Sequence, residues 1–221
     1  FSKNPAFLEA IQHVQRKDTQ LHMMGILSGD QCPHVSPDHI IALSKLAAEH
    51  KVRIVWHLFT DGRDSPIQAA MAFWKDIQPR LAPGTDTIAT VAGRVYLDRK
   101  KNWKWTETLY NMLVLGVAPY ECSSFNQAVN EAYRRGESDE FISPTLIRNK
   151  EVTAKDTISD GDSIIFFNLR SDRARQLTKP FVQQDFESKN QGSFTRSKVL
   201  EHIKFVAMTD FGPDLGEVLS A

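Results

Sequence analysis

The feature that most constrains the fold is a cycle that occurs four times along the chain. Each cycle consists of a short apolar run, a polar loop and a helical pattern. Strands that alternate with helices in this way form βαβ units, which give a largely parallel sheet covered by helices. The pattern therefore predicts an α/β fold. The four apolar runs are Leu21 to Leu27, Arg53 to Phe59, Thr87 to Val91 and Ser163 to Leu169.

The remaining patterns complete a single domain with a mostly parallel central sheet of about five strands and helices on both faces. The segment from Asp139 to Asp162 contains Pro144 and scattered β-forming residues, which predicts a loop with short strands or a small hairpin. A last strand is predicted from Ile203 to Met208. Helices are predicted over Asp38 to His50, from near Pro66, over Trp103 to Leu115 with a stop at Gly116, over Ser124 to Arg135, and up to Gln183.

The composition excludes several classes of protein. The 221 residues include 27 Lys and Arg and 27 Asp and Glu, so the net charge is zero. A nucleic-acid or anionic-lipid partner needs an excess of cations over a whole face, and neither is expected. No apolar run is long enough for a membrane span. The two cysteines, Cys32 and Cys122, are too few for a disulfide scaffold and suit a cytoplasmic location.

Reactive side chains fall in the four loops that follow the predicted strands. In a parallel sheet these loops meet at one edge, where ligands of α/β proteins bind. Four such loops at one edge predict a pocket. The loops supply His34 beside Cys32; Asp61, Arg63 and Asp64; Arg94 and Arg99; and Arg170, Asp172 and Arg173.

The residue types in this predicted pocket indicate an anionic ligand. Five arginines present planar forks of N–H donors that match phosphate or carboxylate oxygens, so the ligand should carry two or more negative charges. Asp61 and Asp64 lie among these cations, where an ionised carboxylate can accept a proton from a substrate hydroxyl. His34 can hydrogen-bond a phosphoryl oxygen or carry a proton near neutral pH.

Simpler interpretations compete with each of these. Pairs such as Arg63 with Asp64 can be ordinary loop salt bridges, worth about 0–1 kcal/mol. Cys32 and His34 are two residues apart in a loop, which disfavours a thiol nucleophile paired with its base. A zinc site of His34, His39 and His57 lacks a zinc-binding spacing. For Trp103, packing in the core is favoured over a place above the pocket.

Read together, the loops resemble the substrate-binding domain of cofactor-independent (2,3-bisphosphoglycerate-independent) phosphoglycerate mutase. The resemblance covers nearly the whole chain, and the motifs occur in the family's order. They are Leu21-His22, DGRDSP at 61–66, IATVAGR at 88–94, Asp98-Arg99 with Trp103, SDEF at 138–141, and FFNLRSDRARQLT at 166–178.

The resemblance implies that this chain is one part of a larger enzyme. Family members also have a phosphatase-like domain, related to alkaline phosphatase, that holds two Mn²⁺ or Mg²⁺ ions and a serine nucleophile. No cofactor is expected within this chain, which would be inactive alone. Residues 1–7 and 210–221 are then linker regions and residues 8–209 the substrate-binding domain. The implied partners are 2-phosphoglycerate, 3-phosphoglycerate and the phosphatase-like domain of the same polypeptide, in a monomer.

The family's roles can be transferred to matching positions. His34 resembles the histidine that positions the phosphoryl group, and Asp64 the residue that exchanges a proton with the glycerate hydroxyl. Arg63 lies beside it on the substrate, and Asp61 is likewise expected to bind the substrate. The arginines that hold carboxylate and phosphate correspond to Arg94, Arg99, Arg170 and Arg173.

The chain departs from the family pattern in two places. Its first loop, Ser28 to Ser36, lacks the family's glycines and has one extra residue, and the spacing from Arg94 to Arg99 is one residue shorter. Besides a mutase, two other functions therefore stay open. One is a stand-alone or degenerate module that binds a small phosphorylated acid without catalysis, and the other is a related phosphomutase with a different substrate.

Overall fold

A computed structural model describes residues 1–85, 87–153, 156–216 and 218–221. Its centre is one eight-stranded sheet with the strand order β4-β5-β3-β2-β1-β6-β7-β8. All neighbouring strands are parallel except β3 and β5, which run antiparallel. The strands are β1 Leu21–Leu27, β2 Ile54–Thr60, β3 Thr87–Gly93, β4 Tyr120–Cys122, β5 Thr145–Ile147, β6 Ser163–Phe166, β7 Lys204–Ala207 and β8 Leu219–Ser220.

The α/β class and the mostly parallel sheet are confirmed, whereas the predicted number of five strands is too low. The five predicted strands are β1, β2, β3, β6 and β7. The other three are only two or three residues long, so they carry no readable periodicity. Within the segment 139–162, of which residues 154 and 155 lie outside the described part, β5 pairs with β3 and β4 and not with a strand of its own segment.

The helices follow the predicted cycles, except that the third helix begins later than predicted. The third helix begins at Ala70, not near Pro66, because the Asp139 carboxylate accepts hydrogen bonds from the backbone N–H groups of Ala69 and Ala70. This cap comes from a distant segment, so no local pattern reveals it. The helices are α1 Pro5–Lys17, α2 Pro37–Glu49, α3 Ala70–Ile77, α4 Trp103–Tyr110 with a following π-helical turn Asn111–Leu115, α5 Phe125–Arg134, α6 Arg175–Val182 and α7 Phe186–Lys189.

Local sequence explains several helix ends. Asn4 caps α1 by accepting from the N–H groups of Ala6 and Phe7, and Pro5 occupies the first turn, where its missing N–H costs nothing. Gly116 ends the π-helical turn after α4 with a φ of 65°. The range 1–7 thus includes the first turn of α1, in which Ala6 and Phe7 are buried.

The strand order reverses at β1. From β1 the chain proceeds through β2 to β3 on one side, and it later returns to β6 and β7 on the other side. Right-handed crossovers in opposite directions place α2 and α6 on opposite faces of the sheet. Every residue of β1, β2 and β6 is buried, as expected for strands covered on both faces. The loops after β1 and β6 diverge here, and such a switch point is where ligands of open α/β sheets bind.

In the part of the chain that the structure describes, no helix is long and apolar enough to cross a membrane.

Candidate functional site

The centre of the candidate site is an arginine held by two carboxylates. Arg94 follows directly after β3, and Asp61 and Asp64 lie in the loop after β2. Arg94 Nη1 donates to Asp64 Oδ2 at 2.6 Å and also to Asp61 Oδ1. Arg94 and Asp61 are almost completely buried, whereas the Asp64 side chain is 30% exposed. Asp64 is therefore the carboxylate of this group that a ligand can reach.

Asp61 organises the loop that carries Asp64. Ser28, at the end of β1, donates its hydroxyl to Asp61 Oδ2 at 2.7 Å. The backbone N–H groups of Arg63 and Asp64 donate to Asp61 Oδ1 at 3.4 and 3.3 Å. Burial raises the pKa of Asp61, but the hydrogen bonds from Ser28 and Arg94 outweigh burial and leave the pKa below its ordinary value. Asp61 is thus an ionised anchor.

His34 lies between the loops after β2 and β6. Its Nε2 is 3.9 Å from Asp64 Oδ2, and its Nδ1 is 3.8 Å from Asp172 Oδ1. Burial, followed by the charge of Arg94, lowers the pKa of His34 to about 4 and outweighs the two carboxylates. The imidazole is therefore uncharged at neutral pH. This state suits a hydrogen-bonding role, one of the two roles predicted for His34.

Asp172 lies on the other side of His34 and pairs with two arginines, Arg99 and Arg170. Arg99 Nη1 donates to Asp172 Oδ2 at 2.7 Å, and Arg170 Nε lies 3.5 Å from Asp172 Oδ1. Both arginines are substantially exposed. Arg63 is also exposed and pairs with Glu140 at 3.5 Å. These three guanidinium groups can therefore reach a ligand without breaking a buried contact.

Arg173 shows that the site carries excess positive charge. Its guanidinium is buried and donates from Nη1 to the carbonyl oxygen of Leu97 at 3.1 Å. Burial, together with the charges of Arg94, Arg99 and Arg63, lowers its pKa. Such crowding of cations is unfavourable without an anion, and an anionic ligand would relieve it.

Several buried polar atoms at the site have no hydrogen-bond partner among the described residues. Three are nitrogen donors, Arg94 Nε, Arg173 Nε and Asn168 Nδ2; His34 Nδ1 can donate or accept, and Asp172 Oδ1 is an acceptor. A buried donor without a partner costs about 1–3 kcal/mol. The Nε atoms of Arg94 and Arg173 thus lack acceptors in the folded chain, as suits a site for an anion.

All eight side chains predicted from the sequence belong to this group. His34, Asp61, Asp64 and Arg94 form its interior, and Arg173 is coupled to them by charge. Arg63, Arg99 and Arg170 lie at its exposed side. Ser28 and Asp172 also belong to the site, and no role was predicted for them, although both follow buried strands and Asp172 lies inside the motif of the fourth loop.

Asp139 is a further residue whose importance the sequence did not reveal. Besides capping α3, it accepts the Tyr133 hydroxyl at 2.5 Å, and its carbonyl oxygen accepts the Thr60 hydroxyl at 2.7 Å. Its N–H donates to the carbonyl oxygen of Ile67 at 2.9 Å. Asp139 therefore holds both ends of the loop that carries Asp61 to Asp64. The motif SDEF is the only signal for it in the sequence.

Two glycines allow this segment to approach the site. Gly62 has a φ of 64°, and a Cβ there would lie 2.5 Å from the backbone nitrogen of Glu140. A Cβ on Gly93 would lie 2.3 Å from the carbonyl oxygen of Glu140. The glycines of DGRD and AGR are therefore required by close backbone packing against Glu140.

The geometry does not support a cysteine nucleophile, a bound metal ion or a zinc site of histidines. Burial raises the pKa of Cys32 to about 11, so its thiol is a poor nucleophile. Cys32, Asp61 and Asp64 lie close enough to suit a metal ion, but the Arg94 guanidinium already engages both carboxylates, so the group does not fit a cation. His57 is buried and bonded to His22 and Thr90, and among the described residues the histidines 34, 39 and 57 do not form a metal-binding group.

Trp103 is in the core, as favoured from the sequence. It is 7% exposed and packs edge-on against Phe186.

Comparison with known proteins agrees with this geometry. The sequence profile described as the N-terminus of BPG-independent PGAM matches residues 1–213. A 2,3-bisphosphoglycerate-independent phosphoglycerate mutase 1 of Methanosarcina barkeri is 48% identical over 194 residues, which are 85% of this chain and 37% of the relative. The mutase of Hahella chejuensis is 38% identical over 97% of this chain and 41% of its own length.

A solved structure shows the same fold. A phosphoglycerate mutase of Leishmania mexicana, crystallised at low cobalt concentration, superimposes with a TM-score of 0.85 at 26% identity. The match covers 96% of this chain and 39% of that one. The family is metal-dependent in general. The chain spans about two fifths of the length of these relatives, and it belongs to the BPG-independent phosphoglycerate mutase family, whose N-terminal region it matches.

Proposed function

We propose that this chain is the substrate-binding domain of a phosphoglycerate mutase that interconverts 2- and 3-phosphoglycerate. The observation that carries the proposal is the set of five arginines gathered around His34 and Asp64, with unpartnered guanidinium nitrogens on Arg94 and Arg173. A phosphoglycerate carries a phosphate and a carboxylate, and the five guanidinium groups can match both anions bidentately. Arg63, Arg99 and Arg170 are accessible for this purpose, while Arg94 and Arg173 supply charge from the interior.

Asp64 is proposed to exchange a proton with the glycerate hydroxyl. Arg94 binds its Oδ2, and its Oδ1 has no hydrogen-bond partner among the described residues. The free oxygen can therefore accept a hydroxyl proton, while the guanidinium fixes the orientation of the carboxylate. Asp61, expected from the sequence to bind the substrate, is buried and bonded to Ser28 and Arg94, so its proposed contribution is to hold Arg94 and the loop in place.

His34 is proposed to position the phosphoryl group. Because the imidazole is uncharged, it can donate one hydrogen bond to a phosphoryl oxygen and keep its own proton. It lies between Asp64 and Asp172, so a bound phosphate would be close to the proton-exchanging carboxylate and to the exposed arginines.

The covalent chemistry is assigned to another part of the polypeptide. The candidate site offers no activated nucleophile, since Cys32 is protonated and buried. A phosphatase-like domain of the same polypeptide would supply the serine that carries the phosphoryl group and two Mn²⁺ or Mg²⁺ ions, which stabilise charge on the transferred group. Residues 8–209 would form the substrate-binding domain and residues 1–7 and 210–221 the linker regions, in a cytoplasmic monomer.

Calorimetry of this chain with 3-phosphoglycerate tests the proposal. We expect measurable binding, because the anion-binding groups are all present. Arg170→Ala should weaken binding at least tenfold, since it removes a charge-assisted contact. Arg170 is exposed, so the variant should fold. Arg134→Ala is the matched control, because Arg134 is an exposed arginine at the end of α5.

Two results would contradict the proposal. One is the absence of phosphoglycerate binding, and the other is equal binding by the Arg170 and Arg134 variants. A mutase assay of the polypeptide that includes the phosphatase-like domain then separates catalysis from binding alone. Binding without activity there would favour a module that recognises a phosphorylated acid, the alternative to which the altered first loop, Ser28 to Ser36, points.

A further inference from the structure

A second concavity borders the candidate site at Arg99 and Asp172. It has a volume of about 390 Å³. This is within the range of small-molecule sites, roughly 300–1,000 Å³. Its lining is formed mainly by the loop after Tyr96 and the first half of α6. The lining residues are Arg99, Lys101, Trp103, Asp172, Arg175, Gln176 and Lys179.

The lining of this cavity carries excess positive charge. Four of its residues are cations and one, Asp172, is a carboxylate. Asp214 bridges Arg175 and Lys179 and compensates for part of the charge. In the described part of the chain, no carboxylate lies within ion-pair distance of the Lys101 ammonium. The cavity therefore favours an anion.

Hydrogen bonds fix the turn that carries Lys101. The buried Asp98 carboxylate accepts from the N–H groups of Lys100 and Asn102 at 2.9 and 2.6 Å. The Lys101 N–H donates to Gln176 Oε1 at 2.9 Å. Lys101 has a φ of 64°, which a lysine rarely adopts and which these bonds enforce. Such strain persists where the surrounding structure over-determines the backbone, often at a ligand site.

Trp103 supplies an independent observation. Its side chain is more than nine-tenths buried and lines the cavity. Its indole Nε1 is buried and has no hydrogen-bond partner among the described residues. Buried tryptophan N–H groups usually have an acceptor. Nε1 itself has almost no accessible surface, so the indole ring contributes a wall of the cavity and its N–H serves as a reporter of changes there.

We propose that this cavity is a second oxyanion site, which binds a phosphate or phosphomonoester dianion. Lys101 and Arg99 provide charge, and the indole of Trp103 forms part of the cavity wall. The site is distinct from the phosphoglycerate pocket around Arg94 and does not depend on the proposed function. The chemistry of the two sites is alike, but their residues overlap only at Arg99 and Asp172.

The shared residues couple the two sites. Arg99 donates to Asp172 at 2.7 Å, and Asp172 lies 3.8 Å from His34. An anion bound by Arg99 from the cavity side competes with Asp172 and with any ligand that Arg99 contacts in the pocket. Binding at the two sites is therefore antagonistic, and linkage requires the effect to be equal in both directions.

NMR of the ¹⁵N-labelled chain tests the second site. The indole N–H signal of Trp103, assigned with Trp103→Phe, is followed while inorganic phosphate is added at constant ionic strength. We expect a saturable shift of this signal. Lys101→Asn should raise the dissociation constant about tenfold, because a charged contact is lost while asparagine tolerates the positive φ. Lys104→Asn is the matched control, since Lys104 is exposed outside the cavity.

Further titrations separate this site from the phosphoglycerate site and identify the ligand. Arg170→Gln, which alters the pocket, should leave the Trp103 titration in place. Tighter binding of methyl phosphate than of inorganic phosphate would assign the site to a phosphomonoester, and the reverse order to phosphate itself. The proposal is overturned if the Trp103 signal does not saturate, if the Lys101 and Lys104 variants respond equally, or if Arg170→Gln abolishes the shift.

Discussion

The guanidinium of Arg94 lies 2.6 Å from the carboxylate of Asp64 and leaves the second oxygen of that carboxylate free. Asp64→Asn preserves the shape of the side chain but removes its capacity to accept a proton. In the polypeptide that includes the phosphatase-like domain, we expect mutase activity to fall by about 10²- to 10⁴-fold. Phosphoglycerate binding to this chain should stay equal or become tighter, because a negative charge near the anion is lost. Activity that survives the substitution would remove Asp64 from proton transfer.

Arg94 is also expected to be a major contributor to stability. Arg94→Met leaves the buried Asp61 without its cation, and a buried charge that loses its partner costs about 3–5 kcal/mol. Urea unfolding should show a loss of this size. In Arg94→Met with Asp61→Asn, part of the loss should be recovered, since no uncompensated charge remains. Arg170→Ala, which changes an exposed arginine, should alter the free energy of unfolding by less than about 1 kcal/mol.

The state of His34 gives a prediction about pH. Its pKa is about 4 in the folded chain against 6.5 as the ordinary value, so the fold favours the uncharged imidazole. The unfolded chain therefore binds more protons between these values, and stability falls as the pH decreases from about 6.5 to 4. The contribution lost is about 3 kcal/mol. Urea unfolding of wild type and His34→Gln at pH 7 and pH 4.5 should show a smaller decrease in the variant.

Ligand binding should reverse this shift. A phosphate beside the imidazole favours the protonated form, so saturating 3-phosphoglycerate should raise the pKa of His34, as measured by NMR of its ring protons. A pKa that does not change on saturation would place the anion away from His34.

The sequence was sufficient to predict the elements whose signal is local and long. The four cycles identified β1, β2, β3 and β6, because each is a continuous buried run followed by a helical pattern. The site residues were predicted for the same reason, since they occupy the loops at the carboxyl ends of these strands. Parallel pairing brings those ends together without any further information.

What the sequence did not reveal depends on contacts between distant segments. The start of α3 at Ala70 is fixed by Asp139, about seventy residues later. The edge strand β4 and its neighbour β5 are three residues each, and β5 pairs with the distant strand β3. The uncharged state of His34 results from its burial, which no pattern of neighbours in the sequence reports.

The close packing of Gly93 on Glu140 and Ile142 predicts a sensitive position. A Cβ at residue 93 would lie 2.3 Å from the carbonyl oxygen of Glu140. The two backbones are held together because the Gly93 N–H donates to the carbonyl oxygen of Ile142 at 2.7 Å. Gly93→Ala should therefore destabilise the chain by about 1–3 kcal/mol, as overpacking does. Gly216→Ala is the control, since a Cβ there would meet no atom within 4 Å. Equal unfolding midpoints in urea for the two variants would contradict the prediction.

Cys32 provides a further test, because its thiol lies near Asp64. Burial raises its pKa to about 11, and its sulfur lies 3.9 Å from Asp64 Oδ2, where a thiolate would be repelled. We therefore expect little alkylation by iodoacetamide at pH 7.5 in the folded chain and rapid alkylation once the chain is unfolded in urea. Cys32→Ser should bind 3-phosphoglycerate within about threefold of wild type, since serine keeps the size and the weak donor. Rapid modification of the folded chain, or loss of binding in this variant, would show that Cys32 takes part in the site.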